Sequence, residues 1–163
     1  MIRPAQARDA GWIADIWNDI IADTLVTFTT TPKTPPEIAA LIDTRPVLVL
    51  PDRGGFATYG PFRSGPGYVR TVEHTIHLAP QVRGAGQGGP LLMALMDHAQ
   101  TAGHHVMVAG ISGANPGAMR FHARHGFAQA GHLPQVGRKA GQWLDLILMQ
   151  KQLTAPDTPR RSV

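Results

Sequence analysis

One stretch, Arg83-Gly84-Ala85-Gly86-Gln87-Gly88-Gly89, does most to constrain what this chain can fold into. It joins a strand-like run, Tyr68 to Leu78, to a run from Gln87 to Thr101 in which Leu91, Leu92, Leu95 and Ala99 recur at helical spacing. Glycines at such a junction let backbone N–H groups converge with no side chains in the way, and the following helix adds the positive end of its dipole. That arrangement suits a phosphate or pyrophosphate. A flexible turn is the plainer reading, but three alternating glycines exceed what a turn needs. A nucleotide P-loop requires Lys and Ser/Thr after its last glycine, and here Pro90-Leu91 follows Gly89. Gly84, Gly86 and Gly89 match dinucleotide spacing literally. The ribose-binding acid expected about 20 residues further on is absent, however: the chain there reads Met107-Val108-Ala109-Gly110.

The rest of the chain supplies layers for this junction. Ile2-Arg3 reads as a short first strand. Asp9 is placed to cap a helix carrying Ile13, Ile16, Trp17 and Ile20 on one stripe, and prolines start a second helix from about Pro36 to Ile42. Strands are expected at Val47 to Leu50 and Gly55 to Gly60, ahead of the Tyr68 strand. Gly103 suits a left-handed cap on the third helix. A strand from Val106 to Ile111 follows, then a fourth helix opened by Asn115-Pro116 and ending near Gly126, then closing strands at Phe127 to Leu133 and Trp143 to Met149. This order predicts an α/β (α+β) fold with a mixed central sheet of about six to seven strands flanked by about four helices. It fills one domain over residues 1–153, with a flexible tail over 154–163.

Composition excludes several classes. The net charge of +4 is carried mainly by arginine, since Lys33, Lys139 and Lys151 are the only lysines, and no basic block exceeds Arg160-Arg161. That argues against nucleic acid and suits a small anionic ligand. The absence of cysteine removes disulfides, thiolate zinc sites and cysteine nucleophiles together. The start, Met1-Ile2-Arg3-Pro4, lacks a signal-peptide apolar core and no apolar run reaches spanning length, so a soluble cytoplasmic protein with no membrane partner is expected. Eight histidines raise the question of a metal. His104-His105 should diverge, and His122 and His125 lack an accompanying carboxylate cluster, so no metal is expected.

Arg83-Gly84-Ala85-Gly86-Gln87-Gly88 also fits Gln/Arg-x-x-Gly-x-Gly/Ala, the coenzyme A pyrophosphate loop of GNAT-type N-acetyltransferases. Thr71-Val72-Glu73-His74-Thr75, Gly103-His104-His105-Val106-Met107-Val108, Val136-Gly137-Arg138-Lys139 and Trp143-Leu144-Asp145 narrow the likeness. With Trp17-Asn18, Thr27-Phe28 and Gly60-Pro61-Phe62-Arg63, they make the chain from Met1 to Leu153 resemble the phosphinothricin (methionine sulfoximine) acetyltransferase branch. The resemblance implies the GNAT fold, acetyl-CoA as donor, often a homodimer, and direct acetyl transfer to the primary amine of a small amino-acid-like substrate. The alternatives are an N-acetyltransferase for another small amine and a non-catalytic module that binds coenzyme A or a nucleotide. Two positions depart from the family pattern: Gly89-Pro90 follows the loop, and Ala140 stands where an aromatic residue is common.

The resemblance also assigns roles. Glu73 is the candidate general base. An ordinary Glu pKa of about 4.3 is low for that task, so burial or a relay must help; the alternative is a carboxylate paired with Arg70. His74 points to the opposite sheet face and is a substrate-side candidate. Ile76, His77 and Leu78 would meet the pantetheine arm through main-chain groups, with an N–H near Leu78 polarising the thioester carbonyl. Arg83, Gly84, Ala85, Gly86, Gln87, Gly88 and Gly89 would hold the pyrophosphate. Asn115 caps the fourth helix and would also touch pantetheine. His122 either protonates the leaving sulfur or is a packed helix histidine, and Arg124 either reaches a coenzyme phosphate or is solvated. On the acceptor side, Arg63 either binds a carboxylate and Phe28 walls the pocket, or both are surface packing.

Overall fold

Seven strands form one sheet in the order β1-β2-β3-β4-β5-β7-β6 in a computed structural model that describes residues 1–154. The strands are β1 (Arg3–Pro4), β2 (Val47–Val49), β3 (Gly55–Pro61), β4 (Thr71–Leu78), β5 (Val106–Ser112), β6 (Ala128–Lys139) and β7 (Gln142–Gln152). Four helices cover it: α1 (Ala10–Asp23), α2 (Pro35–Thr44), α3 (Gly88–Thr101) and α4 (Pro116–Arg124). Every neighbouring pair is antiparallel except β4 and β5, so the sheet is mixed, as the order of elements predicts. Among the described residues no helix is long and apolar enough to cross a membrane. Of the expected tail, residues 155–163 lie outside the described residues; the Thr154 hydroxyl hydrogen-bonds His105.

Two apolar clusters pack on the two faces of the sheet. On one face the α1 stripe, Ile13, Ile16 and Ile20, meets Ile38 of α2 together with Val49 and Phe56. On the other, Leu91, Leu92, Leu95 and Ala99 of α3 meet Val72, Met107 and Ile147. Both stripes are those the helical periodicity marks.

Local chemistry corrects several expected boundaries. Asp9 stands at the N-cap position of α1, as expected, but its side chain makes no capping hydrogen bond. A short 3-10 turn over Ala7–Asp9 precedes the helix, and the Asp9 carboxylate instead accepts from Arg3 at 2.7 and 2.9 Å, from the Gln6 N–H and from the Trp12 indole. These partners, Arg3 foremost, hold its carboxyl well below the usual range and tie β1 to α1. Helix α2 starts at Pro35 because Thr34 and Glu37 form a reciprocal capping box. The strand expected from Tyr68 begins only at Thr71, since Pro66–Tyr68 form a 3-10 turn closed by the Tyr68 N–H on the Gly65 carbonyl. The closing strands run longer than expected. Register shifts between Gln129 and Gly131 and between Leu133 and Gly137 break the alternation that would have revealed their length.

Candidate active site

Strands β4 and β5 stay paired only from Thr71–Val106 to His74–Ala109. Beyond that point both continue, β4 to Leu78 and β5 to Ser112, with no pairing between them. The opening leads into a cavity of about 880 Å³, lined by Glu73 to Leu78 on one side and Ala109 to Ser112 on the other. Trp17 and Ile20 of α1, Thr24 to Phe28 without Leu25, and Ala118, Phe121 and His122 of α4 close it.

At one end lie the glycine loop and the outer part of β4. The Ala79 N–H bonds to the Gly54 carbonyl on the β3 side. Alternation along the strand therefore turns the N–H groups of Leu78 and Ile76 the other way, into the opening. The Arg83 side chain donates to the Leu78 carbonyl at 3.0 Å, folding the loop back on the strand. Gly84 and Gly86 have φ of 76° and 75°, where other residues are strained, and a Cβ on either would meet nothing within 4 Å. Their bare faces point outward, as a backbone cradle for an anion requires. Arg83, Gly84 and Gly88 line the cavity; Ala85, Gly86 and Gln87 are exposed and do not. Gly88 and Gly89 serve packing as well: a Cβ on Gly88 would lie 3.3 Å from Phe121, and one on Gly89 would lie 2.9 Å from His125. Pro90 sits within the first turn of α3, where its missing N–H has no helical partner. Asn115 lines the cavity and its Oδ1 accepts from the Ala118 N–H at 3.2 Å, so helix capping leaves it at the site. His77 packs edge-on against Trp17 and Phe56, and burial pushes its pKa down to about 4.

Glu73 and His74 sit where the pairing ends. Glu73 shares the α1 face with its direct partner Gly60 on β3. Among the described residues its carboxylate forms no ion pair; the Arg70 guanidinium goes to the Gly103 carbonyl at 2.8 Å instead. Burial raises the Glu73 pKa, toward what a base needs. Gly110 of β5 makes room for it, since a Cβ there would lie 2.8 Å from Oε1. Sequence reasoning missed Gly110, although a glycine inside an apolar strand signals close approach.

His74 points to the other face, against His122 and Phe127. The His122 Nδ1 lies 2.7 Å from the Ala118 carbonyl, which can only accept, so Nδ1 carries the proton. Its Nε2 is then an acceptor, and the His74 Nε2, 3.0 Å away, must be the donor. The His74 Nδ1 is left unprotonated, buried and without a partner. Burial lowers both pKa values, that of His74 to about 3, so the pair is neutral. Both His122 nitrogens are thus engaged within the protein, although the ring lines the cavity.

The remaining candidates divide. Phe28 lines the cavity, as expected. Arg63 does not; it lines a separate hollow of about 450 Å³ with Arg45 and Gly60, one strand away from Glu73 through the Gly60–Glu73 pair. Arg124 is exposed and does not line the main cavity either.

Comparison with known proteins agrees with this geometry. Residues 14–127 match the model of the acetyltransferase (GNAT) family. The chain is 40% identical over 161 residues to the L-methionine sulfoximine/L-methionine sulfone acetyltransferase of Pseudomonas aeruginosa, covering 93% of this chain and 94% of that one. It is 32% identical over 163 residues to the phosphinothricin N-acetyltransferase of Streptomyces coelicolor, covering 93% and 95%. A Salmonella typhimurium structure with its cofactor acetyl-CoA superposes with a TM-score of 0.92 at 35% identity, covering 99% of this chain and 98% of that one. The chain belongs to the GNAT acetyltransferase family and is an acetyl-CoA-dependent N-acetyltransferase.

Proposed function

We propose that the enzyme acetylates the α-amine of a small amino-acid-like acceptor of the phosphinothricin or methionine sulfoximine/sulfone type. The observation that carries this reading is Glu73: a half-buried carboxylate with raised pKa and, among the described residues, no ion-pair partner, at the point where β4 and β5 separate. The names of the relatives support the acceptor class.

Acetyl-CoA supplies the acetyl group as a thioester. The outward backbone of Gly84 and Gly86, with Arg83, Ala85, Gln87, Gly88 and Gly89 around it, would hold the pyrophosphate. The amides of Ile76 and Leu78 and the side chain of Asn115 would hold the pantetheine arm. Glu73 takes a proton from the acceptor ammonium, so that nitrogen attacks as a free amine. Attack is direct, because the 163 residues include no cysteine for an acyl-enzyme. The nitrogen sheds a second proton as the C–S bond breaks, and that proton is available to the sulfur. His122 therefore acts here as the neutral partner of His74, shaping the apex of the opening, and not as the acid expected from its position on α4. Arg63, which lines the separate hollow with Arg45 and not the cavity, would meet the acceptor carboxylate only where the acceptor reaches past Gly60. Phe28 walls the acceptor side.

A cytoplasmic homodimer completes the reading. The β6–β7 hairpin exposes Leu133, Val136 and Trp143, and light scattering on the purified protein tests the pairing.

The deciding experiment is a screen of primary amines with acetyl-CoA, read by free-thiol release. Methionine sulfoximine, methionine sulfone and phosphinothricin should lead. Faster turnover of carboxylate-free amines would overturn the acceptor class, and no thiol release with any amine would overturn the mechanism.

A further inference from the structure

We infer that Lys139 is a positioning residue for the acceptor wall: from the end of β6 it fastens the chain between α1 and α2 so that Phe28 keeps its place in the cavity. The inference rests on the acceptor side lying at Phe28, as read above. Residues 24–34 contain no helix or strand, yet Thr24, Val26, Thr27 and Phe28 line the cavity. A wall without secondary structure needs outside anchors. Its ends have them. The Thr24 hydroxyl donates to the Ile20 carbonyl at 2.6 Å, and the Asn18 amide both donates to the Lys33 carbonyl at 2.8 Å and accepts from its N–H at 2.7 Å.

The middle, where the wall residues lie, is anchored by one face of β6. The Lys139 ammonium donates to the Thr27 carbonyl at 2.9 Å. Two residues back on the same face, the Phe28 ring lies on the bare backbone of Gly137, where a Cβ would come within 2.5 to 2.8 Å of three ring atoms. Arg138, between them, points outward and stacks on Trp143 at 4.6 Å. Lys139 is only 7% exposed, and among the described residues its ammonium forms no ion pair and has Thr27 as its one hydrogen-bond partner. A charge buried with so little compensation contributes little to stability, and apolar residues of similar volume often replace such groups at no cost. Packing alone therefore does not call for lysine here; holding the Thr27 carbonyl does.

Lys139→Met keeps the stem and removes the anchor. The acceptor KM should rise about tenfold, while the KM for acetyl-CoA stays within about twofold and the melting temperature holds or rises. Amide hydrogen exchange across residues 24–34 should quicken in the same variant, with α3 unchanged. Lys139→Arg, which can still donate to Thr27, should restore most of the acceptor KM. Gly137→Ala, a second route to the same wall, should also raise the acceptor KM by displacing Phe28. An unchanged acceptor KM with a lowered melting temperature would overturn the inference, as would unchanged exchange across residues 24–34. The KM is measured with whichever amine the wild type acetylates fastest. Failure of amino-acid acceptors would thus count against the proposed function, while the exchange and KM results still decide Lys139.

Discussion

At its coenzyme end the cavity presents backbone; at its acceptor end it presents side chains held from elsewhere in the fold. The proposed coenzyme end draws mainly on one strand-to-helix segment, the amides of Ile76 and Leu78 and the loop from Arg83 to Gly89, joined by Asn115 at the start of α4. Its long-range requirements are that β4 and β5 separate beyond His74 and Ala109 and that α4 lies alongside the loop. At the acceptor end Phe28 rests on Gly137, Lys139 reaches Thr27 and Glu73 fits against Gly110, each contact joining residues distant in sequence. Backbone recognition is indifferent to most side chains and can serve one donor across many enzymes. Side-chain recognition changes with a few substitutions, which suits the end that has to choose an acceptor.

If the two ends are separable, damage at one should leave the other intact. The largest effect is expected from Glu73→Gln, which keeps size and hydrogen bonding but cannot take the proton. Turnover should fall by roughly 10²–10⁴-fold while acetyl-CoA affinity survives. Near-normal kcat per folded site with an unchanged pH profile would remove Glu73 as the base. Next is Gly86→Val, which places a branched side chain at a φ of 75° and over the outward backbone. Calorimetry should show acetyl-CoA affinity down about tenfold, or about 1.4 kcal/mol, with little change in acceptor KM. A matching loss of acceptor affinity would show that the ends are coupled.

Arg63→Met should raise KM for carboxylate-bearing acceptors by about three- to tenfold and leave kcat nearly unchanged, because the contact is shared by ground and transition states. If KM is unaltered, the hollow beside Gly60 has no part in acceptor binding. The smallest effect is on stability. Burial holds His74 down to about 3 and His77 to about 4, against an ordinary 6.5, so the unfolded chain takes up these protons first. Their contribution is fully present above about pH 6.5 and is lost on acidification toward pH 4, which should lower the melting temperature by several degrees. His77→Phe should flatten that slope. An equally steep slope in the variant would assign the acid sensitivity to other groups.

Much was legible in the chain itself. The stripes Ile13-Ile16-Ile20 and Leu91-Leu92-Leu95-Ala99, the cap at Asn115, the left-handed Gly103 and the glycine loop follow from periodicity and backbone rules that act within a few residues. Glu73 and Phe28 entered through likeness to a family, and the structure brings both to the cavity. Tertiary structure alone decided three things. It drew the side chain of Asp9, at the N-cap position of α1, away from capping and onto Arg3, since a carboxylate goes to the strongest donors within reach. It joined His122 to His74 across 48 positions, fixing a neutral tautomer chain in which both His122 nitrogens are engaged. And it brought Gly137 and Lys139 under Thr27 and Phe28, contacts that span more than 100 residues and leave no periodic mark in the sequence. Local rules act through backbone geometry and are written in adjacent residues. A wall built across the fold depends on which distant atoms packing brings within hydrogen-bonding and van der Waals distance, and that is settled only when the sheet has formed.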